Sequence, residues 1–329
     1  MKTLKNHWCF YTLGVWVICS LITPIAYGAT TKNGFDLSNA TIPIKEILGG
    51  GVKRDGIPAI DRPRFIKPEA VDYLRGDDLV VSVESGGVYR AYPIRILNHH
   101  EIVNDSIGED HFSVTYCPLC GTAMVFDRMI EGRVVEFGVS GLLYQSDVLL
   151  YDRETDSLWS QLGMKSVAGP MVGQELEWRV SEHMTWDEWK KSHPEGEVLS
   201  ERTGYQRPYY HNPYASYEKS GGTMFPVSMY RKELTPKTWV LGIKVDDHPA
   251  AYELALFPPN TVVTDSVNGV EITIEYDLIK RKAVVTHVET GEVIPSVFSY
   301  WFAWQAFYPR TKLSMAPTVN KQKKKKGGG

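Results

Sequence analysis

The chain has 329 residues, of which 36 are lysine or arginine and 39 are aspartate or glutamate. Its length allows one large or two ordinary domains, each with a hydrophobic core. Seven of the lysines lie near the two ends of the chain, and without them 29 basic residues face 39 acidic ones. A body with this acidic excess excludes nucleic acid as the expected partner.

The first 28 residues have the pattern of a secretory signal peptide. Lys2 and Lys5 precede an apolar run from Trp8 to about Ile25, and Ala26-Tyr27-Gly28 supplies small residues for cleavage. An uncleaved membrane anchor is the alternative. No later segment reaches the roughly 20 apolar residues that cross a membrane. We therefore expect a periplasmic or secreted protein with no membrane span after signal cleavage.

The cysteines exclude a disulfide-stapled scaffold. Four are present, and Cys9 and Cys19 would leave with the signal peptide. The mature chain then keeps one C-x-x-C pair, Cys117 and Cys120. A pair this close in sequence closes too small a loop to stabilise a fold by much. The pair therefore calls for a chemical explanation.

In chain order, residues 29–75 read as an irregular lead-in and residues 76–200 as a first β unit that carries the Cys/His site. Its alternating apolar pattern predicts strands at 79–84, 88–94, 111–117, 124–127, 133–139 and 148–151. A capping box from Thr185 to Glu188 predicts a helix that ends before Pro194.

The remaining residues are predicted to form a connecting loop at 201–235, a second β unit at 236–316 and a Lys/Gly-rich tail at 317–329. When the first β region is laid over the second so that Leu79 falls on Trp239, the apolar alternation coincides, and Tyr92 and Asp105 fall on Tyr252 and Asp265. We interpret this as an internal duplication; two unrelated β segments are the alternative. The expected fold is mainly β, a β-rich α+β protein of two related units with a short helical connection.

The comparison of the two units separates residues that serve the fold from residues that serve a function. Cys117 becomes Asp277 and Cys120 becomes Lys280, and His100 is also replaced in the second unit. The second unit is therefore degenerate: it lacks the residues that thiol or metal chemistry would need. We therefore expect the function to be held by the first unit alone.

The segment from Cys117 to Gly121 is predicted to end a strand and to turn tightly, with both sulfurs on one side. Two thiolates and an imidazole suit copper or zinc in a redox or carrier role, and His100 is the leading third ligand. His99 and Met124 are further candidate ligands, and Glu101 could orient a liganding histidine. The turn's N–H groups could also lower the thiol pKa values.

Two alternatives stay open for the cysteine pair. It could exchange thiols and disulfides in a metal-free oxidoreductase, which would make the protein an enzyme. It could also form a local disulfide in a non-catalytic binding or structural protein. The strand pattern after Gly121 argues against a thioredoxin arrangement, and no second cysteine pair completes a zinc ribbon. The active hypotheses require a redox or metal-delivery partner that the sequence does not name.

Polar residues downstream are predicted to line a pocket beside the pair. Together with Cys117, Cys120 and His100, the candidate catalytic residues are Ser140, Asp147, Asp152, Trp159 and Gln161. A serine hydrolase is not expected, because Leu142 stands where the nucleophile turn requires a second glycine.

The segments His100–Asp105, Tyr116–Gly121 and Ser140–Gln161 resemble a bacterial and archaeal family of uncharacterised exported proteins, domain of unknown function 3179. The resemblance covers most of the mature chain, as far as Trp301–Trp304. It implies that the polar run from His100 to Gln161 is the family's hallmark, and it brings no activity. Met124 stands where the family is expected to have an aliphatic residue, which weakens it as a ligand.

Overall fold

The computed structural model describes residues 30–258, 261–314 and 318–319. Strands make up 43% of the structure and helices 11%, which confirms the predicted mainly β class. The predicted signal peptide and nearly all of the predicted tail lie outside the described residues. Within the described residues, no helix has the length and apolar character needed to cross a membrane.

Five largely antiparallel sheets form a five-bladed β-propeller. Blade 1 contains Phe65–Ile66, Leu79–Ser85, Val88–Pro93, Glu182–Thr185 and Glu197–Leu199. Blade 2 contains Ile102–Ile107, Asp110–Cys117, Thr122–Asp127 and Trp178–Arg179. Blade 3 contains Ile47–Gly49, Phe137–Tyr144, Asp147–Asp152, Leu158–Ser160 and Lys165–Ala168. Blade 4 contains Trp239–Val245, His248–Glu253, Ser296–Tyr300 and Lys312–Ser314. Blade 5 contains Val262–Val267, Val270–Asp277, Lys282–His287, Val293–Ile294 and Thr318–Val319.

The blades are joined through buried apolar clusters. One cluster joins blades 1 and 2, and another joins blades 4 and 5. The largest includes Cys117, Trp159 and Trp304 and joins blades 2, 3 and 4. The strand Glu182–Thr185 contacts Lys282–His287 and so connects blade 1 to blade 5. The cysteine pair therefore lies where the apolar interior is most extensive.

Short helices lie between the strands: α1 (Ile94–Leu97), α2 (Trp186–Ser192), α3 (Ala215–Lys219), α4 (Trp301–Phe307) and three 3₁₀ segments at Ile44–Glu46, Pro68–Ala70 and Leu254–Leu256. The predicted helix after Thr185 is confirmed as α2. Its predicted capping box is not formed, because the Thr185 side chain makes no capping hydrogen bond. Packing of the two α2 tryptophans into the interior stabilises this helix instead.

Segments predicted to be irregular contribute regular structure. From the lead-in, Ile47–Gly49 pairs with blade 3 and Phe65–Ile66 pairs with blade 1. The connecting loop contains α3. The strand predicted at 133–139 is divided, because a small hairpin of Met129–Ile130 and Arg133–Val134 comes before the strand that begins at Phe137. Two-residue strands of this kind carry too few residues to show an alternating pattern.

Five strands of blades 1 and 2 recur in blades 4 and 5 with equal lengths and at one constant offset, which takes Leu79–Ser85 to Trp239–Val245. Their hairpins also have the same pairing register. The Tyr92 hydroxyl donates to Asp105 at 2.5 Å, and the Tyr252 hydroxyl donates to Asp265 at 2.9 Å. These tyrosine–aspartate pairs therefore hold equivalent positions in the fold.

Candidate metal centre

The Cys-x-x-Cys segment forms the tight turn that its sequence predicts. The strand Asp110–Cys117 ends at the first cysteine, and the N–H groups of Cys120 and Gly121 donate to the Cys117 carbonyl at 3.2 and 2.9 Å. Gly121 has φ +68°, and a Cβ atom there would lie 2.3 Å from Trp239. The turn therefore needs glycine for both its conformation and its contact with blade 4.

Both cysteine side chains are fully buried and are not joined in a disulfide. The Cys120 thiol donates to the Ser146 carbonyl at 3.2 Å, and the Cys117 thiol points to the same oxygen at 3.9 Å. Burial raises the pKa of Cys117 and raises that of Cys120 well above its usual range. The Cys120 N–H group does lower the pKa of Cys117, as the turn predicts, but desolvation by burial outweighs this effect and the net shift is upward.

Asp147 completes a group of three. One side-chain atom each from Cys117, Cys120 and Asp147 lies within 4.8 Å of the other two, and all three residues are buried. The aspartate begins the strand Asp147–Asp152, directly after a turn in which Gln145 and Ser146 have φ of 53° and 64°. Non-glycine residues adopt this left-handed conformation at a cost of roughly 1–2 kcal/mol each. Two consecutive residues with positive φ are typical of a two-residue hairpin turn, and Asp246 and Asp247 adopt the same conformation in blade 4.

The two carboxylate oxygens of Asp147 have different surroundings. Oδ2 accepts a hydrogen bond from the Leu162 N–H group at 3.0 Å. Oδ1 is buried and has no hydrogen-bond partner among the described residues, and the same holds for the Ser146 hydroxyl. Burial raises the pKa of Asp147 to about 7, although the N–H groups of Leu162 and Val148 and the thiols of Cys117 and Cys120 oppose the shift. A buried, unpartnered carboxylate oxygen beside two thiols requires a compensating proton or cation.

Glu101 lies close enough to influence this group electrostatically. Its side chain is 6% exposed, and burial together with the nearby Asp147 raises its pKa to about 8. Its backbone has φ 59°, and its carbonyl accepts a hydrogen bond from the Tyr116 N–H group at 2.7 Å. The backbone of Glu101 is thus tied to the strand that ends at Cys117.

The predicted third ligand, His100, is not brought into this group. Its Nδ1 atom lies 2.7 Å from the Pro58 carbonyl and its Nε2 atom lies 2.6 Å from the Tyr209 hydroxyl. Burial lowers the pKa of His100 to about 4. Both ring nitrogens are therefore used in a buried hydrogen-bond network. The residue connects blade 2 to the lead-in and to the connecting loop.

The two secondary ligand candidates also have other neighbours. His99 Nε2 lies 3.0 Å from the His211 carbonyl, and the ring packs edge-on against Tyr209. Met124 is fully buried in the apolar cluster that contains the cysteines. A core position accounts for its side chain without a metal.

Most of the predicted pocket residues make hydrogen bonds inside blade 3. Ser140 lies in a β-bulge, where its hydroxyl donates to the Leu149 carbonyl and accepts from the Leu142 N–H group at 3.0 Å. The carboxylate of Asp152 accepts the Trp159 indole N–H at 2.7 Å. These bonds give all three residues a structural role, and a catalytic role for them stays a prediction.

Gln161 connects blade 3 to the cysteine turn. Its amide donates to the Thr115 hydroxyl at 2.8 Å and accepts from the Thr122 hydroxyl at 2.8 Å. Thr122 pairs with Cys117 across the hairpin. Gln161 therefore positions the turn relative to the segment that contacts Asp147, without belonging to the group of three.

Sequence reasoning placed Asp147 on the wall of a pocket rather than among the ligands. One signal could have identified it: Asp147 begins the strand Asp147–Asp152, whose four central residues are apolar or aromatic and which is buried along its whole length. A carboxylate is seldom buried without a partner. The sequence did not indicate that this strand end meets the cysteine turn.

No curated protein and no solved structure matches this chain. A family model does match residues 54–293, a range that contains every residue of the site described above. The chain belongs to the family described as protein of unknown function, DUF3179, which confirms the resemblance seen in its motifs.

Proposed function

We propose that this protein holds a zinc ion between Cys117, Cys120 and Asp147. The observation that carries the proposal is the Oδ1 atom of Asp147, which is buried without a partner beside two thiols. A divalent cation would compensate the carboxylate and would displace the protons from both thiols, whose pKa values burial raises.

The donor set favours zinc over copper. Two thiolates alone would suit Cu(I), which prefers soft ligands, whereas a carboxylate oxygen is a harder donor that zinc accepts. Three protein ligands leave a fourth position, which is typical of a zinc site that performs chemistry. Full burial of the ligands favours a resident ion over one that is handed to a partner. A bound zinc ion would act as a Lewis acid and would lower the pKa of a water molecule bound to it.

The metal-free thiol oxidoreductase is the weaker candidate. A reactive thiol in such an enzyme is partly exposed and has a lowered pKa. Cys117 and Cys120 are buried, and burial raises both pKa values. Their closeness to each other still permits a disulfide, so the oxidoreductase is retained as an outcome of the test.

The test is elemental analysis with a free-thiol count, on protein purified from the periplasm without chelators. We expect about one zinc ion per chain in the parent protein, and less than a tenth of that in Asp147→Asn and in the Cys117→Ser, Cys120→Ser double variant. Asp277→Asn, which changes the turn equivalent in the second unit, is the matched control and should keep its zinc. Copper in place of zinc would correct the choice of metal. Absence of metal together with a reversibly reducible disulfide would replace the proposal with the oxidoreductase.

We also propose that blades 1 and 2 are related to blades 4 and 5 by internal duplication, and that the protein is exported. The equal strand lengths and registers at one constant offset support the first proposal. The pattern of the first 28 residues supports the second. An intact-mass measurement on protein from the producing cell tests export, since cleavage would remove about these 28 residues.

A further inference from the structure

A small cavity lies beside the proposed zinc ligands. Its volume is about 110 Å³, and its lining includes Leu119 next to Cys120 and Val148 next to Asp147. An engineered apolar cavity of about 150 Å³ in another protein binds benzene, so this cavity has room for a ligand of a few non-hydrogen atoms. Met224, which also lines it, is 54% exposed. The cavity therefore lies between residues adjacent to the candidate ligands and the surface of the connecting loop.

Among the described residues, Glu101 contributes the only carboxyl group to the cavity lining, whose other members are apolar or aromatic residues and glycines. Its side chain is almost entirely buried, since 6% of it is exposed. Burial and the nearby Asp147 raise the pKa of this carboxyl group, and no hydrogen bond contributes to the shift. A buried carboxyl group without a partner costs free energy unless something binds to it. The group therefore faces a space that can hold such a partner.

The charge of the region determines which partner is suitable. Two thiolates and the Asp147 carboxylate would together carry three negative charges, one more than a divalent ion neutralises. An ionised Glu101 would add another negative charge. No lysine or arginine of the described ranges lines the cavity. A ligand with a positive head group and a short apolar body complements both the charge and the walls.

We propose that this cavity binds a short-chain primary ammonium compound, with Glu101 accepting hydrogen bonds from the ammonium group. The proposal rests on the proposed function, because the zinc site supplies the adjoining negative charge. Leu119, Val139 and Val148 would contact the alkyl chain. Tyr214 and Phe225 from the connecting loop would cover it.

The test uses butylammonium as the probe, with butanol and butyrate as neutral and anionic compounds of similar size. Binding to the full mature chain is measured by calorimetry, and zinc content is determined on the same samples. We expect butylammonium to bind at least about tenfold more tightly than either comparison compound. Glu101→Gln should remove this preference while the protein keeps its zinc and has a melting temperature no lower than that of the parent. Glu271→Gln, an exposed position in blade 5, is the control and should bind like the parent.

The outcomes separate this proposal from the zinc proposal. Zinc-loaded protein that binds all three probes equally, or none of them, would overturn the ammonium site and leave the metal site intact. A preference for butylammonium in protein without zinc would sustain the role of Glu101 and overturn the metal site. If Glu101→Gln still prefers butylammonium, the assignment of Glu101 is wrong.

Discussion

The turns Cys117–Gly121 and Asp277–Arg281 hold the same position in two hairpins of identical register, yet their surroundings are opposite. Leu119 is 7% exposed in the first turn, whereas Ile279, its equivalent in the second turn, is 88% exposed. Local backbone pairing is thus the same in both places. The segments packed over each turn determine whether it lies inside the protein.

The first turn is covered from two directions. The Tyr217 hydroxyl in α3 donates to the Leu119 carbonyl at 2.8 Å, and the Tyr300 N–H group donates to the Cys120 carbonyl at 2.8 Å. Blade 3, which supplies Asp147, comes directly after blade 2 in the chain, and no equivalent sheet follows blade 5 in the part of the chain that the structure describes. At the second turn, Lys280 makes a 3.0 Å ion pair with Glu188. Two hairpins of the same register therefore carry a buried candidate metal site in one case and a partly exposed ion pair in the other.

The largest expected difference between the two turns is in how the groups around them make the free energy of unfolding depend on pH. In metal-free protein, burial raises the pKa of Asp147 to about 7 and that of Glu101 to about 8. In the unfolded chain both carboxyl groups have pKa values of about 4. The folded state then binds more protons, so the stabilisation is complete below about pH 4 and is lost as the pH rises through 7 to 8. We expect the free energy of unfolding of chelator-treated protein to fall from pH 5 to pH 8. The slope should not exceed about 1.4 kcal/mol per pH unit for each carboxyl group.

Urea unfolding at several pH values measures this slope. Asp147→Asn should reduce it, whereas Asp277→Asn should leave it unchanged because Asp147 and Glu101 are intact. A parent protein whose stability does not change between pH 5 and pH 8 would contradict the burial of these carboxyl groups.

The next effect concerns packing at the third residue of each turn. Leu119→Ala should destabilise the protein by about 2–5 kcal/mol, because it removes a buried side chain from the main apolar cluster. Ile279→Ala should change the free energy of unfolding by less than about 0.5 kcal/mol, because its side chain is in solvent. Chemical denaturation of both variants, freed of metal, gives the comparison. Equal losses would mean that the two turns are covered to the same extent.

The smallest effect concerns the last residue of each turn. Gly121 and Arg281 both have positive φ, 68° and 54°. Gly121→Ala should cost about 1–3 kcal/mol, because the new methyl group would meet Trp239. Arg281→Gly should stay within about 1 kcal/mol of the parent, because it relieves the backbone and removes only a long contact with the same tryptophan. Thermal unfolding distinguishes them; a neutral Gly121→Ala would show that Trp239 moves aside at little cost.

The sequence by itself determined the elements that depend on near neighbours in the chain. Strand alternation predicted the hairpins, glycine placed the cysteine turn, and the overlay of Leu79 on Trp239 aligned strands that have equal lengths and registers in the structure. The family was also identifiable, because its motifs are continuous runs of residues. These features follow from side-chain periodicity and backbone preferences within about ten residues.

Tertiary structure alone decided which residues surround the cysteines. His100 is 17 positions from Cys117 and is chemically a better ligand than Asp147, but its ring is held by Pro58 and Tyr209. Asp147 is 30 positions away and reaches the sulfurs because blade 3 packs against blade 2. The same packing raises the thiol pKa values that the turn alone was expected to lower. Contact between blades depends on how apolar faces fit together in three dimensions, and spacing along the chain carries little information about that fit.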